Sequence, residues 1–182
     1  MRKLSNEELD RLGIDEFKRA DKHPLIIVLD NVRSLHNVGA IFRTADAFLI
    51  EKIYLCGITP MPPHKDIRKT ALGATESVDW EYVEDIEHLT RELRHQRVEL
   101  IAVEQAEHSV KLDEYEPQND KRTVMVFGNE VKGVRQEVVN LCDKVVEIPQ
   151  FGTKHSLNIS VSAGICIWHH FFKMNKKSRF VK

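Results

Sequence analysis

The 182-residue chain has no apolar run approaching the roughly 18 residues that a membrane-spanning helix needs. Its opening, MRKLSNEELDRL, holds no hydrophobic stretch of the kind that marks a secretory signal. Cysteine is scarce: Cys56, Cys142 and Cys166 are odd in number, widely spaced and set among apolar neighbours. That pattern argues against a disulfide framework and against zinc, and it suits a reducing compartment, so a cytoplasmic protein is expected. Metal spacings are missing as well, with no C-x-x-C and no H-E-x-x-H. No G-x-G-x-x-G follows a strand, which removes the dinucleotide fingerprint, and Ser156 lacks a G-x-S-x-G elbow. An excess of positive charge is absent too: 27 Lys and Arg face 28 Asp and Glu, a net of −1. Binding nucleic acid through bulk charge alone is thereby excluded.

What is present is an ordinary globular composition, 42% hydrophobic and 30% charged, in a length that predicts one domain over residues 1–182 with a sizeable core. The charge is uneven. The last ten residues, KMNKKSRFVK, carry five Lys or Arg and no acid, so residues 173–182 form a basic tail that either frays in solvent or touches phosphate.

Hydrophobic periodicity predicts strands alternating with helices. A capping box at Ser5 and Glu8 opens an N-terminal helix running to about Arg19. PLIIVLD (24–30) and TVMVFG (123–128) are continuous apolar runs of strand length, as in strands buried on both faces of a parallel sheet. Further strands are expected at 52–57, 77–83, 98–104 and 144–149. Helices are expected from Asn37, read as an N-cap, to Phe48, and at 65–72, 84–96, 134–142 and 156–172. The order implies an α/β fold with a mostly parallel sheet and helices on both faces. His169 and His170, adjacent on the last helix, face different ways and are read as structural.

In such sheets, ligands bind at the carboxyl ends of strands. Three of those loops are unusual: DNVRSLHN after the first strand, GNEVKG after TVMVFG, and QFGTKHSLN after KVVEIP. Gly128 and Gly133 have phosphate-loop spacing, but Val134 and Arg135 stand where that motif needs Lys and Ser or Thr, so the reading is rejected. Gly128 would let backbone approach a ligand, and Glu130 is either an acid held in the loop or a surface residue of a tight turn. Ser156 reads well as a helix cap; Asn158 reads less well as one. Arg43 lies off the apolar stripe of its helix and is either a solvated cation or aimed at a ligand.

Taken in order, HNVGAIFRTAD, VMVFGNEVKGV and VEIPQFGTKHSLNISVSAGI resemble the three motifs of the SpoU (TrmH-type) branch of the SPOUT RNA methyltransferases. The resemblance runs from about residue 25 to 172, and RKTALGATESVDW (68–80) is similar to the segment between the first two motifs. It implies a trefoil-knotted α/β fold with the C-terminal chain threaded through a loop. It also implies S-adenosylmethionine as cofactor with no metal, methylation of a ribose 2′-hydroxyl in tRNA or rRNA, and a homodimer whose active site is completed across the interface. Carried over by position, Asn37, Arg43, Glu130, Ser156 and Asn158 match the catalytic motif residues. Gly128, Ile148 and Leu157 match the cofactor cradle, and Gln105 aligns with a further cofactor contact. The resemblance leaves the extra N-terminal RNA-binding domain of longer members unmatched in this sequence, so a single-domain member is expected, and the chain is less basic than many.

Methyl transfer to a ribose oxygen needs the hydroxyl positioned and its proton removed. Arginine is closer in basicity to that hydroxyl than histidine or glutamate, yet a neutral guanidine at pH 7 costs roughly 7.5 kcal/mol or more. Arg43 therefore acts either as a base with strong local help or as a bidentate phosphate clamp. A non-catalytic RNA-binding dimer of the same fold and a base-nitrogen methyltransferase stand as the rival readings.

Overall fold

The structure, a computed structural model, describes residues 1–5 and 7–175. The expected basic tail, 173–182, lies outside the described residues from position 176 on. In chain order the elements are α1 (Ile14–Arg19), β1 (His23–Asp30), α2 (Leu35–Ala47), β2 (Ile50–Cys56), α3 (Lys65–Ala71), α4 (Ala74–Ser77) and β3 (Trp80–Val83). There follow α5 (Ile86–Arg94), β4 (Val98–Val103), β5 (Val110–Lys111), β6 (Arg122–Phe127), α6 (Gln136–Val139), β7 (Lys144–Glu147) and α7 (Ile159–Met174).

The strands form one sheet in the order β3-β2-β1-β6-β4-β7-β5, and every pairing between named strands is parallel. The inner strands are buried along nearly their whole length, which is why they read as unbroken apolar runs. One face is covered by Phe17 of α1 and by α2, α3, α4 and α7, which contribute Val38, Ile41, Phe42, Ile67, Ala163 and Ile167 to a single core. The other is covered by α5 and α6, through Ile86, Leu89, Leu93 and Val138. Each large side chain so buried contributes about 1.5–3 kcal/mol. β7 is inserted between β4 and β5, which are consecutive in the chain, so the segment joining them passes around β7.

Several element boundaries differ from the sequence expectation, each for a local reason. Half of the Ser5 capping box forms, with Ser5 N–H donating to Glu8 Oε2 at 2.7 Å while Glu8 N–H donates to the Ser5 carbonyl, and it closes only a 3-10 turn at Glu7–Leu9. Asp10 then adopts a left-handed φ of 46°, and α1 starts afresh behind Gly13. Helix α2 is capped by Ser34, whose Oγ accepts from Asn37 N, and not by Asn37, which lies three residues inside. Helix α7 begins at Ile159 with Asn158 as its cap, so Ser156 sits in the preceding loop and caps nothing. The expected strand at 77–83 shortens to β3 because Ser77 ends α4, its hydroxyl bonded to Asp46. The expected helix at 134–142 is only the four-residue α6, and β5 emerges inside what reads as a polar loop.

Candidate active site

The carboxyl ends of β6, β4 and β7 open onto a cleft of about 520 Å³. Gly128, Glu130, Gln105, Ile148, Ser156 and Leu157 all line it, so one cavity gathers six of the nine site residues expected from the sequence. Asn37 and Asn158 join from the side through hydrogen bonds. Asn158 Nδ2 donates to Asn37 Oδ1 at 3.2 Å, and Asn37 Nδ2 donates to Glu130 Oε1 at 3.3 Å. The other carboxylate oxygen of Glu130 accepts from Arg33 N at 3.4 Å. A single chain of side-chain bonds thus links the first, second and third unusual loops.

Each member is positioned by its own loop. Asn158 Oδ1 accepts from Ser160 N at 2.9 Å, so capping α7 leaves the Nδ2 group to reach Asn37. Asn37 is oriented by the first turn of α2, which Ser34 begins. Glu130 rides on a tight turn closed by paired backbone bonds between Asn129 and Gly133, of 2.8 and 3.1 Å. At Gly128 a Cβ would come within 2.1–2.2 Å of the Gly133 and Val134 backbone. The glycine is therefore required by the return of its own turn, where the sequence suggested close approach of a ligand. Gly133 has φ of +67°, and its missing side chain makes room for the Glu104 carboxylate, which accepts from Val134 N at 3.0 Å.

Sequence reasoning misses Glu104, Asn129 and Asp30. Asn129 Oδ1 accepts from Val131 N and Lys132 N while its Nδ2 donates to Asn31 O, tying the second loop to the first. Asp30, fully buried at the end of β1, meets Arg135 at 3.3 Å; burial raises its pKa and Arg135 offsets part of that rise. The only available signal was an acid ending an apolar run. Gln105 is held by its own Nε2, which donates to His155 O at 2.7 Å, so β4's loop is tied to the loop before α7.

Arg43 is not brought to this cluster. It is exposed on α2, six residues beyond Asn37, which is about 9 Å along the axis and about one and two-thirds turns around it. It lines a separate cleft of about 280 Å³ with Phe17, Asp46, Leu72 and Ser77.

The main cleft fits an adenosyl group carrying an amino-acid arm. Its volume lies within the roughly 300–1,000 Å³ of small-molecule sites. Ile148 and Leu157 supply apolar wall, and the backbone of the 128–133 turn and the Gln105 and Ser156 side chains supply polar groups. No cluster of three or more His, Cys, Asp or Glu that could hold a metal occurs among the described residues, and no helix among them is long and apolar enough to cross a membrane.

Comparison with known proteins agrees with this geometry. The SpoU rRNA Methylase family matches residues 24–168. A 23S rRNA (guanosine-2′-O-)-methyltransferase of Neisseria meningitidis is 32% identical over 84% of this chain and 60% of its own length. A tRNA (guanosine(18)-2′-O)-methyltransferase of Aquifex aeolicus is 33% identical over 79% of this chain and 67% of its own. Among solved structures, the A. aeolicus TrmH/SpoU tRNA-modifying enzyme superposes with a TM-score of 0.77 at 30% identity, over 88% of this chain and 80% of that one. An AdoMet-bound rRNA methyltransferase of Sinorhizobium meliloti gives 0.76 at 27%, over 87% and 58%. The chain spans about 60–66% of the length of the first several curated relatives. With the family matched over residues 24–168, most of its length, this chain belongs to the SpoU rRNA methylase family.

Proposed function

We propose that the protein is an S-adenosylmethionine-dependent RNA methyltransferase acting on a ribose 2′-hydroxyl of tRNA or rRNA. The observation that carries this reading is the Asn158–Asn37–Glu130 chain beside the cleft, in a fold whose relatives are named for ribose methylation. Gly128, Ile148, Leu157 and Gln105 would hold the cofactor, which supplies an electrophilic methyl group when bound. The Asn158–Asn37–Glu130 chain fixes the two asparagine amides at the cleft edge, where their remaining donor and acceptor can orient a ribose hydroxyl. Ser156, exposed on the cleft wall, offers a further hydroxyl there.

The separation of Arg43 from its own cleft supports a homodimer in which the site is completed by the other copy. Helix α7 supports it as well: Val161, Ile165, Trp168 and Phe172 recur at helical spacing and are 38–51% exposed. Gly164 lies within that stripe with open space where its Cβ would be, which lets a second backbone approach. Arg43 of one copy then fixes a phosphate or takes the ribose proton in the other. The threaded C-terminus and a cytoplasmic location belong to the same reading.

Calorimetry with S-adenosylmethionine and its demethylated product is expected to show one site per chain, and sedimentation to show a dimer at micromolar concentration. Labelled methyl transfer to unmodified tRNA and rRNA, followed by digestion to nucleosides, is expected to place the label on ribose. Label on a base would replace this reading with base methylation; RNA binding without cofactor binding would leave a non-catalytic RNA-binding dimer.

A further inference from the structure

Phe151 is 97% exposed, far more than Trp168 or Phe172. It lies between Gln150 and the stretch His155–Leu157, all of which line the main cleft, so its loop is part of the cleft's rim. Val131, 83% exposed at the tip of the Asn129–Gly133 turn, lines the same cleft. Each of the three loops carries an exposed cation: Lys132 lines the cleft, Arg33 follows β1 with its N–H donating to Glu130 of the cleft, and Lys154 shares the loop of Phe151. None of the three forms an ion pair among the described residues.

A bare phenyl ring beside unneutralised cations has the composition of a single-strand nucleic-acid contact, in which aromatic faces take bases and cations take phosphates. The chemistry proposed for the cleft calls for such a contact. Drawing a ribose out of a stacked strand and into a recess exposes the face of its base or of a neighbour, and that lost stacking has to be replaced. We infer that Phe151 is a stacking platform for an unpaired nucleobase of the RNA, with Val131 as the opposite apolar edge and Arg33, Lys132 and Lys154 on the flanking phosphates. This rests on the RNA methyltransferase reading and adds the residue that receives the base.

The test is fluorescence anisotropy with a labelled ten-nucleotide oligouridylate and an abasic ribose-phosphate oligomer of equal length and charge. The parent, Phe151→Ala and Phe151→Trp are compared. The parent is expected to prefer the base-bearing RNA by about five- to hundredfold, Phe151→Ala to lose that preference while keeping salt-dependent binding of the abasic oligomer, and Phe151→Trp to restore it. Affinity for S-adenosylhomocysteine and the sedimentation coefficient are expected to stay at parental values. Retention of the preference by Phe151→Ala overturns the inference and leaves the enzyme reading standing. Loss of cofactor affinity or of the dimer in Phe151→Ala also overturns it, assigning the ring to the cofactor or to the second copy. A parent that binds neither cofactor nor RNA defeats the underlying reading instead.

Discussion

The two ends of the sheet are built on opposite plans. At the carboxyl end, the bonds among Asn158, Asn37, Glu130 and Arg33 run from 3.2 to 3.4 Å and are open to solvent. At the amino end, a second polar network is mostly buried and shorter. His23 at the start of β1 meets His170 of α7 at 2.7 Å, and His170 meets Thr123 of β6 at 2.9 Å. Tyr115 donates to Glu99 of β4 at 2.8 Å, and Lys144 of β7 meets the same carboxylate at 2.6 Å. His170, Tyr115 and Glu99 are almost fully buried. Helix α7 spans both ends, its cap in the open cluster and its last turns bolted to the closed one. A satisfied, buried network rigidifies, whereas long solvent-facing bonds can be exchanged for bonds to a ligand. The protein thus holds a rigid polar network at one end and, on the proposed function, its chemistry at the other.

That division predicts that substitutions at the two ends separate cleanly, and the largest effect is expected for Arg43, which the proposed second copy would bring to the open end. In single-turnover methylation with saturating cofactor and RNA, Arg43→Ala is expected to lose on the order of a thousandfold in rate, about 4 kcal/mol in the barrier. Its melting temperature and cofactor affinity are expected to stay unchanged, since the side chain is exposed. Arg43→Lys separates the two roles left open. A pure charge clamp keeps part of the rate, while proton transfer or fork-dependent orientation loses most of it, and the second is expected. A near-parental rate in Arg43→Ala would return the residue to the solvated surface.

At the closed end, His170→Ala is expected to reduce stability by roughly 2–4 kcal/mol, because it opens a cavity and strands His23 and Thr123. Denaturant unfolding measures this, and S-adenosylhomocysteine affinity under native conditions is expected to hold. Acid should act at the same place. Burial lowers the pKa of His23 to about 4 and that of His170 to about 3, with the His23 charge adding to the latter. The unfolded histidines titrate near 6.5, so between that value and 3–4 the unfolded chain binds more protons. Stability is then full above about pH 7 and falls as pH drops through 6.5, by up to about 1.4 kcal/mol per pH unit for each histidine. In His170→Ala this slope should flatten; an unchanged acid limb would show that other groups set it.

How much of this was legible beforehand follows the same geography. β1 and β6 could be read directly, since a strand buried on both faces leaves an uninterrupted apolar run. Asn37, Glu130 and Asn158 were legible only through the family motifs, because their significance is a contact among loops separated by 93 and 121 residues. The closed end was invisible for the same reason: His23 and His170 are 147 residues apart, and nothing local marks either as a partner. β5 is two residues at a sheet edge, too short for any period to appear. Helix starts mislead because Asn37 reads as the cap where Ser34 is one, and Ser156 reads as the better cap where Asn158 is one; each is a good cap by residue type, and only the chain path decides.

That last ambiguity supplies the smallest and most specific prediction. If Ser34 is the cap of α2, Ser34→Ala is expected to cost about 1 kcal/mol, because the Asn37 N–H loses its acceptor. Asn37→Ala, at a half-buried position inside the first turn, is expected to shift stability by about 0.5 kcal/mol or less, as its long bonds to Glu130 and Asn158 are replaced by water. The order should invert in methyl transfer, where Asn37→Ala loses most of the rate and Ser34→Ala keeps most of it. Chemical denaturation and single-turnover assays on the same two variants read both quantities. Should Asn37→Ala be the less stable protein and the more active enzyme, the asparagine would be a structural cap after all. The open end of the sheet would then have lost the residue that joins its three loops.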